Sequence, residues 1–463
     1  MSAPLKASFW SLFCSVLQSF ISLVTTPIFT HQMSMDEYGI YTQYNSWLAV
    51  MTILVTLNLS SETYMKQITA REDREKEITS SMLGLNITLV IVYTFLYLLA
   101  PGPALRLLKL PGILVHMMLV HLLVSPPLDY WKNLERCHYR YRMTTIVSIM
   151  VAVACNLLSI YAVYQFEDHV TAKIGADLLV RVITGVILIV ILIKDGKKLF
   201  DRSVWIYSLK YSIPLIPHYL SNILLNQSDR LMIGRMVGDS AAAKYGIAYM
   251  ISSMVLLAVT ATNSSFVPYT FQKLTNGETE PIRKSSPLLL TGIAFLCLIA
   301  SSLSPELLRI AGKDYVDAFY VIPPVAISVF FIFLFTLFSN IEYFYKKTKQ
   351  IGLATALAAG LNIVLNYLLI PRYGYYAAGY TTLISYLFLC LFHYISYRAL
   401  LREENLPPIY NMNFVLSLSI VMLIMTAVLA VLLEHTLIRY VFIMVLCAGS
   451  AFLYMRFTRR TNH

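Results

Sequence analysis

Uncharged or nearly uncharged stretches of about 20 residues recur from one end of the chain to the other, and they limit its fold more than any other feature. Each stretch is long enough to cross roughly 30 Å of hydrocarbon as a helix. Stretches such as 88–99 and 415–433 are apolar on every face, whereas membrane strands alternate polar and apolar residues. The chain is also 57% hydrophobic and 13% charged, outside the usual range of soluble domains. We therefore predict an all-α integral membrane protein.

The apolar stretches divide into about fourteen transmembrane helices. The loops between them are too short to fold as domains, the longest lying around 66–78, 194–206, 271–285 and 398–411. The first stretch has no small-residue cleavage site before His31 and is therefore interpreted as a retained helix. The predicted spans are 8–30, 40–64, 79–100, 111–131, 143–164, 172–193, 207–229, 241–265, 286–303, 318–341, 350–370, 374–397, 412–433 and 436–455.

Basic residues are distributed unequally between the two sides of these spans. Alternate junctions together with the two chain ends carry 24 Lys and Arg residues, and the opposite loops carry eight. Basic loops remain in the cytoplasm, so both termini are predicted to be cytoplasmic. The net charge of +11 is accounted for in this way, and no module that binds nucleic acid is visible. Five of the six cysteines lie in apolar stretches, which indicates packing and not a disulfide framework.

Two short motifs recur at a nearly constant offset and indicate an internal repeat. Tyr-Gly-Ile at 38–40 returns 207 residues later at 245–247, and Asn156 is matched by Asn362, 206 residues on. Spans that are six apart in the chain cross the membrane in the same direction. The two lobes should therefore be related by a pseudo-twofold axis along the membrane normal. We predict a six-helix lobe over 1–200, a second over 201–400 and two additional helices over 401–463.

Two corresponding spans, the first and the seventh, carry polar residues on one helical face. The stripe in span one includes Gln18 and Ser22, and span seven presents His218, Asn222, Asn226 and Asp229 at mostly i, i+4 spacing beside two prolines. Such stripes avoid lipid, so they face either a cavity or another helix. For span one the two alternatives are equally supported. For span seven we favour the cavity.

One cation lies deep in a span. Arg181 is nine residues from the outer end of span six, roughly 13 Å at 1.5 Å per residue, with Asp177 four residues before it. The alternatives are a self-neutralising ion pair and an inward-pointing cation, and we favour the second. Lys210 lies near Trp205 at the end of a span. Its favoured interpretation is an anchor whose charged end reaches the membrane surface. With Arg230, these cations suit pyrophosphate or another anionic head group.

Motifs for catalysis and for cofactors are missing from the sequence. No glycine-rich loop ends in Gly-Lys-Ser/Thr, so ATP hydrolysis by the chain itself is not expected. His116 and His121 are five apart, which does not suit a helical zinc pair, and no metal or cofactor is expected. The acidic pair Asp36 and Glu37 lies in a loop too short to support a glycosyltransferase site. We predict that the protein is not an enzyme.

Two regions resemble the bacterial polysaccharide flippase family. The run 226–234, Asn-Gln-Ser-Asp-Arg-Leu-Met-Ile-Gly, followed by Tyr-Gly-Ile-Ala-Tyr at 245–249, is similar to the seventh-to-eighth-span region of O-antigen and capsule repeat-unit flippases. The run 366–374, Asn-Tyr-Leu-Leu-Ile-Pro-Arg-Tyr-Gly, resembles their eleventh-to-twelfth-span junction. Their superfamily also includes multidrug exporters and flippases of the peptidoglycan lipid precursor. The resemblance implies alternating access around a central cavity between two lobes.

The expected function is movement of a polyprenyl-pyrophosphate-linked oligosaccharide, an O-antigen or similar repeat unit of lipopolysaccharide biosynthesis, to the outer leaflet. The alternatives are a multidrug exporter, a peptidoglycan lipid-precursor flippase and, in another class, a membrane polysaccharide polymerase or glycosyltransferase. Expected partners are the lipid-linked oligosaccharide, membrane lipids, and the polymerase and chain-length machinery. The candidate substrate-binding residues are Gln18, Ser22, Asp177, Arg181, Lys210, His218, Asn222, Asn226, Asp229 and Arg230.

Overall fold

The computed structural model describes residues 3–461, except for the side chains of 3–8, 348–349 and 451–461. Helices make up 89% of the chain, and residues 3–461 contain no strand. The all-α membrane fold is therefore confirmed. The chain ends, at 1–2 and 462–463, lie outside the described residues, as do the side chains of five basic residues in the orientation count. These five are Lys6, Lys349, Arg456, Arg459 and Arg460.

The chain divides into two compact units, residues 1–243 and 244–463. The first unit holds eleven α-helices and the beginning of a twelfth, and the domain boundaries of the sequence analysis remain predictions. The helices are α1 Ala3–Gln32, α2 Met35–Thr56, α3 Glu62–Ala70, α4 Glu75–Leu99, α5 Pro101–Leu108, α6 Gly112–Val124, α7 Pro126–Cys137, α8 Tyr141–Gln165, α9 His169–Gly196, α10 Arg202–Ser212, α11 Ile216–Met236 and α12 Asp239–Ser253.

The second unit continues from α12 with eight further α-helices. Its 3₁₀ helix Lys313–Val321 leads directly into the longest buried helix of the unit. The helices are α13 Val255–Thr275, α14 Glu280–Ser302, α15 Ser304–Ala311, α16 Ile322–Phe344, α17 Thr348–Tyr373, α18 Tyr376–Glu403, α19 Met412–Leu432 and α20 Thr436–Thr461.

Eleven of the described helical segments are long and apolar enough to cross a membrane. Three predicted spans do not reach that standard and correspond to α2, to α10 with α11, and to α20, whose apolar part covers 436–450. α2 and α11 fall short because they carry many polar side chains. The count of fourteen stays a prediction with which the eleven are consistent.

Two of the predicted spans are interrupted for identifiable reasons. α2 ends where Leu57 and Asn58 both adopt positive φ, 51° and 50°, and the chain restarts as α3. Between α10 and α11, Pro214 lies in a short 3₁₀ segment and Pro217 in the first turn of α11. Proline lacks the N–H that continues a helical ladder, so a change of helix type at this point is expected.

In the first unit α2 lies very close to α11 and to the start of α12. A Cβ on Gly39 would lie 2.0 Å from the backbone oxygen of Asp239, so only glycine permits this approach. Gln43 Nε2 donates to the Asp239 carboxylate, and Ser46 Oγ donates to Gln227 Oε1 at 3.1 Å. The polar side chains of α2 and α11 therefore satisfy one another in part, as expected of interhelical contacts in membranes.

At the predicted cytoplasmic end of the first unit, Asp201 joins three helices. Its carboxylate caps α10 at the N–H groups of Ser203 and Val204 and pairs with Arg74 at 3.0 Å and Lys198 at 2.7 Å. Hydrogen bonds from Lys198 and Ser203 lower the pKa of Asp201 well below its ordinary range. The carboxylate therefore stays charged at any physiological pH and fixes the start of α10.

The second unit is organised around α16, which is buried along nearly its whole length and packs against α14, α18 and α19. Its interior contains a completely buried ionisable pair, Glu342 with His393 at 3.0 Å. Asn362 and Asn366 form a buried amide pair, and Thr381 donates to Asn366. Near the C-terminus, buried Arg439 pairs with Glu306 and thereby fixes α20 against α15.

We predict that Gly39→Ala destabilises the protein by about 1–3 kcal/mol, because the added methyl overlaps a backbone atom that cannot rotate away. Thermal unfolding of the purified protein in detergent measures the effect. Gly360→Ala is the matched control, since a Cβ there meets no atom within 4 Å and helix propensity favours Ala. An unfolding temperature equal in the two variants would contradict the close approach of α2.

Candidate functional site

The first unit encloses a polar cavity of about 400 Å³ between α1, α2, α6, α8 and α9. That volume lies within the range of small-molecule binding sites. Most of its wall consists of amides, hydroxyls, phenols and ionisable groups. The lining residues are Gln18, Ser22, Tyr41, Tyr44, Asn45, Leu48, His121, Ala152, Cys155, Asn156, Ser159, Lys173, Ile174, Asp177 and Arg181.

Helix α9 supplies the charges of this cavity. Lys173, Asp177 and Arg181 recur every four residues and therefore lie along one face of the helix. Arg181 holds Asp177 through two hydrogen bonds, Nε to Oδ2 at 2.6 Å and Nη2 to Oδ1 at 3.4 Å. Both side chains remain about a third exposed, 32% and 31%, so each still reaches the cavity. At the level of sequence, an ion pair and an inward-facing cation are alternatives for Arg181. In the structure Arg181 is both.

Lys173 is different because no carboxylate of a described residue lies within ion-pairing distance of it. The residue is only 6% exposed. Its ammonium group lies 2.9 Å from the ring centre of Phe29 and 4.6 Å from that of Tyr41. Aromatic faces stabilise a cation but do not neutralise it. Lys173 therefore offers the cavity a basic amine that an anionic ligand could contact.

Helices α1 and α8 provide further amide and hydroxyl groups of the wall. Gln18 Nε2 donates to the backbone oxygen of Ser148 at 3.3 Å, and Thr25 Oγ1 donates to Asn156 Oδ1 at 2.9 Å. These bonds fix the two amides where α1 packs against α8. The polar stripe of α1 thus serves both as a helix contact and as part of the cavity wall.

Helix α2 adds an aromatic wall with one unusual polar group. Tyr41, Tyr44, Asn45 and Leu48 are spaced by three or four residues and share a face. The Tyr44 hydroxyl is buried and has no hydrogen-bond partner among the described residues. Burying a hydroxyl without a partner costs free energy, so this group is available to water or to a polar ligand.

The N-terminal ends of α2 and α9 are held together next to the cavity. Ser34 and Glu37 form a capping box at the start of α2, and His169 of α9 contacts the same carboxylate at 3.1 Å. Burial raises the pKa of Glu37, but hydrogen bonds from the Ser34 backbone N–H and from His169 lower it more, and the net shift is downward. A charged Glu37 therefore keeps Tyr41 close to Lys173.

The groups that line this cavity are suited to binding a polar ligand. Amides and hydroxyls can form hydrogen bonds with the hydroxyls of a polar ligand, and the tyrosine rings offer apolar faces for contact with it. Two basic side chains, Lys173 and Arg181, line the cavity with one carboxylate, which favours a ligand with an anionic group over a cationic one. Across the described residues, no group of three or more His, Cys, Asp or Glu side chains could hold a metal ion.

Four of the ten candidate residues named from sequence lie together in this cavity: Gln18, Ser22, Asp177 and Arg181. The other six lie on α10 and α11 and do not line it. Among them, Lys210 is exposed, Asp229 is buried, Arg230 Nη1 donates to Gln227, and Asn226 Nδ2 donates to the backbone oxygen of Asn222 at 2.8 Å. His218 is half-buried, and Asn222 is exposed.

Sequence reasoning missed most of the lining of α2 and α8, together with Lys173. A signal was present for Lys173, because its four-residue spacing to Asp177 places it on the face of Arg181. Asn156 was singled out only as part of the repeat. The tyrosines gave no signal, since Tyr41 and Tyr44 are equally compatible with a packed helix face.

Comparison with known families identifies the chain. The model of the family described as polysaccharide biosynthesis protein matches residues 5–273, more than half of the chain. The chain belongs to this family. A second family model, MatE, matches residues 214–368.

Two curated relatives come from Haemophilus influenzae. An uncharacterized membrane protein is 22% identical over 236 residues, which are 49% of this chain and 58% of that protein. The Lsg locus putative protein 1 is 24% identical over 160 residues, 34% of this chain and 40% of that protein. The matched parts are thus less than two thirds of either relative.

Solved transporters share the fold of this family member. The lipid II flippase MurJ in an inward closed conformation superimposes with a TM-score of 0.70 at 14% identity, over 97% of this chain and 99% of that chain. An inward-facing multidrug resistance MATE family transporter of the MOP superfamily gives 0.61 at 13% identity, over 83% and 96%. The protein is therefore a multi-pass membrane protein with a flippase-type transporter fold.

We predict that the cavity is hydrated. In a background without the six native cysteines, Asn156→Cys should react with a charged, water-soluble thiol reagent about tenfold faster than Leu157→Cys, because the reagent attacks the thiolate and thiolates need water. Leu157 is the matched control: it neighbours Asn156 on α8 but faces away and is 63% exposed toward the lipid. Similar rates at the two positions would contradict a polar cavity.

Proposed function

We propose that this protein is a flippase of the bacterial inner membrane that moves a polyprenyl-pyrophosphate-linked oligosaccharide, an O-antigen or similar repeat unit, from the cytoplasmic to the outer leaflet. The observation that carries the proposal is the cavity of the first unit, where amides, phenols and an unneutralised lysine line one space in a member of a polysaccharide biosynthesis family. Movement by alternating access is part of the proposal and is supported by the transporter fold.

The cavity lowers the main barrier to such transport. A glycan in hydrocarbon leaves each hydroxyl without a partner, at a cost of several kcal/mol per group. Asn45, Asn156 and the free hydroxyl of Tyr44 can replace the hydrogen bonds that water supplied. The polyprenyl chain needs no such replacement and remains in the bilayer.

The cations of α9 suit the pyrophosphate of the carrier. Lys173 has no carboxylate partner among the described residues. Arg181 offers the planar, forked donors that match phosphate oxygens. An ion gradient, the membrane potential or consumption of the product by later polymerisation would drive the cycle. The partners in that later step would be the polysaccharide polymerase and the chain-length machinery.

A multidrug exporter is the second candidate, because the MatE family model covers residues 214–368. Export of cationic drugs is disfavoured by the cavity, since Asp177, the carboxylate in its described lining, is already paired with Arg181. A peptidoglycan lipid-precursor flippase shares the pyrophosphate chemistry and differs in the glycan. Deletion of the gene distinguishes these functions from one another. It also distinguishes them from a polymerase or glycosyltransferase activity.

The experiment is to delete the gene and to locate the lipid-linked glycan. The proposal expects repeat units to accumulate on the cytoplasmic leaflet, where a lectin reaches them in inside-out vesicles but not in intact spheroplasts. Normal cell-wall synthesis should continue. Accumulation of peptidoglycan precursor, drug hypersensitivity alone, or unpolymerised units on the outer leaflet would each contradict the proposal.

We predict that the double variant Asp177→Asn/Arg181→Gln is present in the membrane at normal level and fails in transport. Neutralising both members of an ion pair is usually tolerated by the fold, whereas removing Arg181 alone leaves an unpaired charge inside the protein. Loss of charge-assisted contacts to pyrophosphate should lower surface polymer roughly tenfold or more. Lys273→Gln/Glu278→Gln, which removes a pair of the same length outside the cavity, is the control. Normal surface polymer in the first variant would assign Arg181 a structural role only.

We also predict the orientation of the chain from the count of 24 basic residues against eight. A reporter that is active only outside the cytoplasm should be active when fused after residue 435, between α19 and α20, and silent when fused after residue 458. The opposite pattern would reverse the proposed direction of transport.

A further inference from the structure

The second unit contains another pocket, of about 650 Å³, at the end of the unit that carries the basic loops. It lies between the first turn of α14, the last turns of α18, the segment 404–411 and the first turn of α19. Neither the repeat, the polar stripes nor the proposed transport uses it. Its lining residues are Arg283, Tyr397, Arg398, Leu401, Arg402, Asn405, Leu406, Pro408, Tyr410, Asn411, Met412 and Asn413.

The pocket is strongly positive. Arg283, Arg398 and Arg402 line it, and its described lining includes no carboxylate. The nearby Glu403 and Glu280 are engaged elsewhere, with Lys347 at 2.6 Å and Lys284 at 3.6 Å. Neither Arg283 nor Arg402 forms an ion pair within the described part of the chain. Three exposed guanidinium groups thus line one space without a carboxylate partner among the described residues.

A helix N-terminus adds to this positive field. Asn411 caps α19 by accepting a hydrogen bond from the Phe414 N–H at 3.3 Å, and the next two residues, Met412 and Asn413, line the pocket. The first N–H groups of a helix have no partner within the helix and carry partial positive charge. Arginines and a helix N-terminus together form a common phosphate-binding arrangement.

The floor of the pocket is rigid, so the site is formed before any ligand arrives. The Leu406 N–H donates to the Leu401 oxygen at 2.9 Å and closes the end of α18, with Asn405 at a φ of 51°. The Ile409 N–H donates to the Tyr397 hydroxyl at 3.0 Å, and the Tyr410 hydroxyl donates to the Leu337 oxygen at 2.9 Å. Both tyrosines are fully buried.

The position and the apolar part of the pocket favour a lipid as the source of the phosphate. Leu401, Leu406, Pro408 and Met412 line it beside the arginines. The pocket also lies where three candidate membrane spans, those of α14, α18 and α19, begin or end. Basic pockets at such helix ends on the cytoplasmic side are suited to anionic lipid head groups.

We propose that this pocket, named here the Arg398 pocket, binds a phosphate group, supplied by the head group of an anionic membrane lipid. Arg283, Arg398 and Arg402 hold the phosphate oxygens together with the first turn of α19, while the apolar residues contact the start of the acyl chains. The site is independent of the glycan cavity in the first unit, and its test does not depend on transport.

The test measures thermal unfolding of the full-length protein in detergent during titration with short-chain phosphatidylglycerol. Phosphatidylcholine, whose own ammonium neutralises its phosphate, and glycerol 3-phosphate, which has no acyl chains, are the comparison probes. The wild type should be stabilised by phosphatidylglycerol, and Arg398→Gln/Arg402→Gln should need about tenfold more lipid or show no shift. The control Arg136→Gln/Arg140→Gln removes two exposed charges of the first unit, outside the pocket, and should behave as the wild type.

A second variant distinguishes loss of lipid binding from a folding defect in the first variant. Asn413→Asp places a carboxylate in the pocket at a helix position that tolerates acidic residues, so it should fold normally and still lose the lipid response. If glycerol 3-phosphate stabilises the wild type as well as the lipid does, and the variants abolish both effects, the site binds phosphate from a soluble source. No stabilisation of the wild type by either anion, or equal stabilisation of the pocket variants, would overturn the proposal.

Discussion

Hydrocarbon offers no hydrogen bonds, and this one constraint determines where polar side chains lie in the first unit. Helix α9 shows it most clearly. Its outward face is apolar, with Leu179 and Ile183 more than half exposed at 52% and 55%, while Lys173, Asp177 and Arg181 point into the protein. Helices α1, α2 and α8 bring their polar faces to the same place. The cavity is therefore the place where these side chains avoid lipid and remain accessible to a polar ligand.

The second unit satisfies the same constraint in another way. Its polar side chains close on one another: Glu342 pairs with His393, and Asn362 with Asn366. Asn156 and Asn362, which occupy matching places in the sequence repeat, thus have different environments, one at the wall of a cavity and one in a closed pair. This contrast supports the assignment of polar cargo to the first unit.

Much of the fold could be predicted from sequence because apolar length and charge depend on local residues alone. The span boundaries match helices such as α8 and α19 closely, and the all-α membrane class follows from them. The site could be predicted only in part. Helical spacing identifies which residues share a face, as for Gln18 with Ser22 or Asp177 with Arg181, but not which helix that face meets. The contact of α2 with the start of α12 depends on the close approach at Gly39, and the cavity wall depends on Tyr41 and Tyr44, whose rings suit packing as well as binding.

The central claim, that the chain transfers a lipid-linked glycan across a bilayer, is tested most directly with purified protein in liposomes. Polyprenyl-pyrophosphate-linked oligosaccharide is distributed over both leaflets, and a membrane-impermeant glycosidase is added outside. Without protein, only the outer half of the substrate should be cleaved. With the protein, cleavage should proceed to nearly all of the substrate, and Lys173→Gln should slow that second phase while the liposomes stay sealed. A protected inner half in sealed liposomes that contain folded protein would contradict the account.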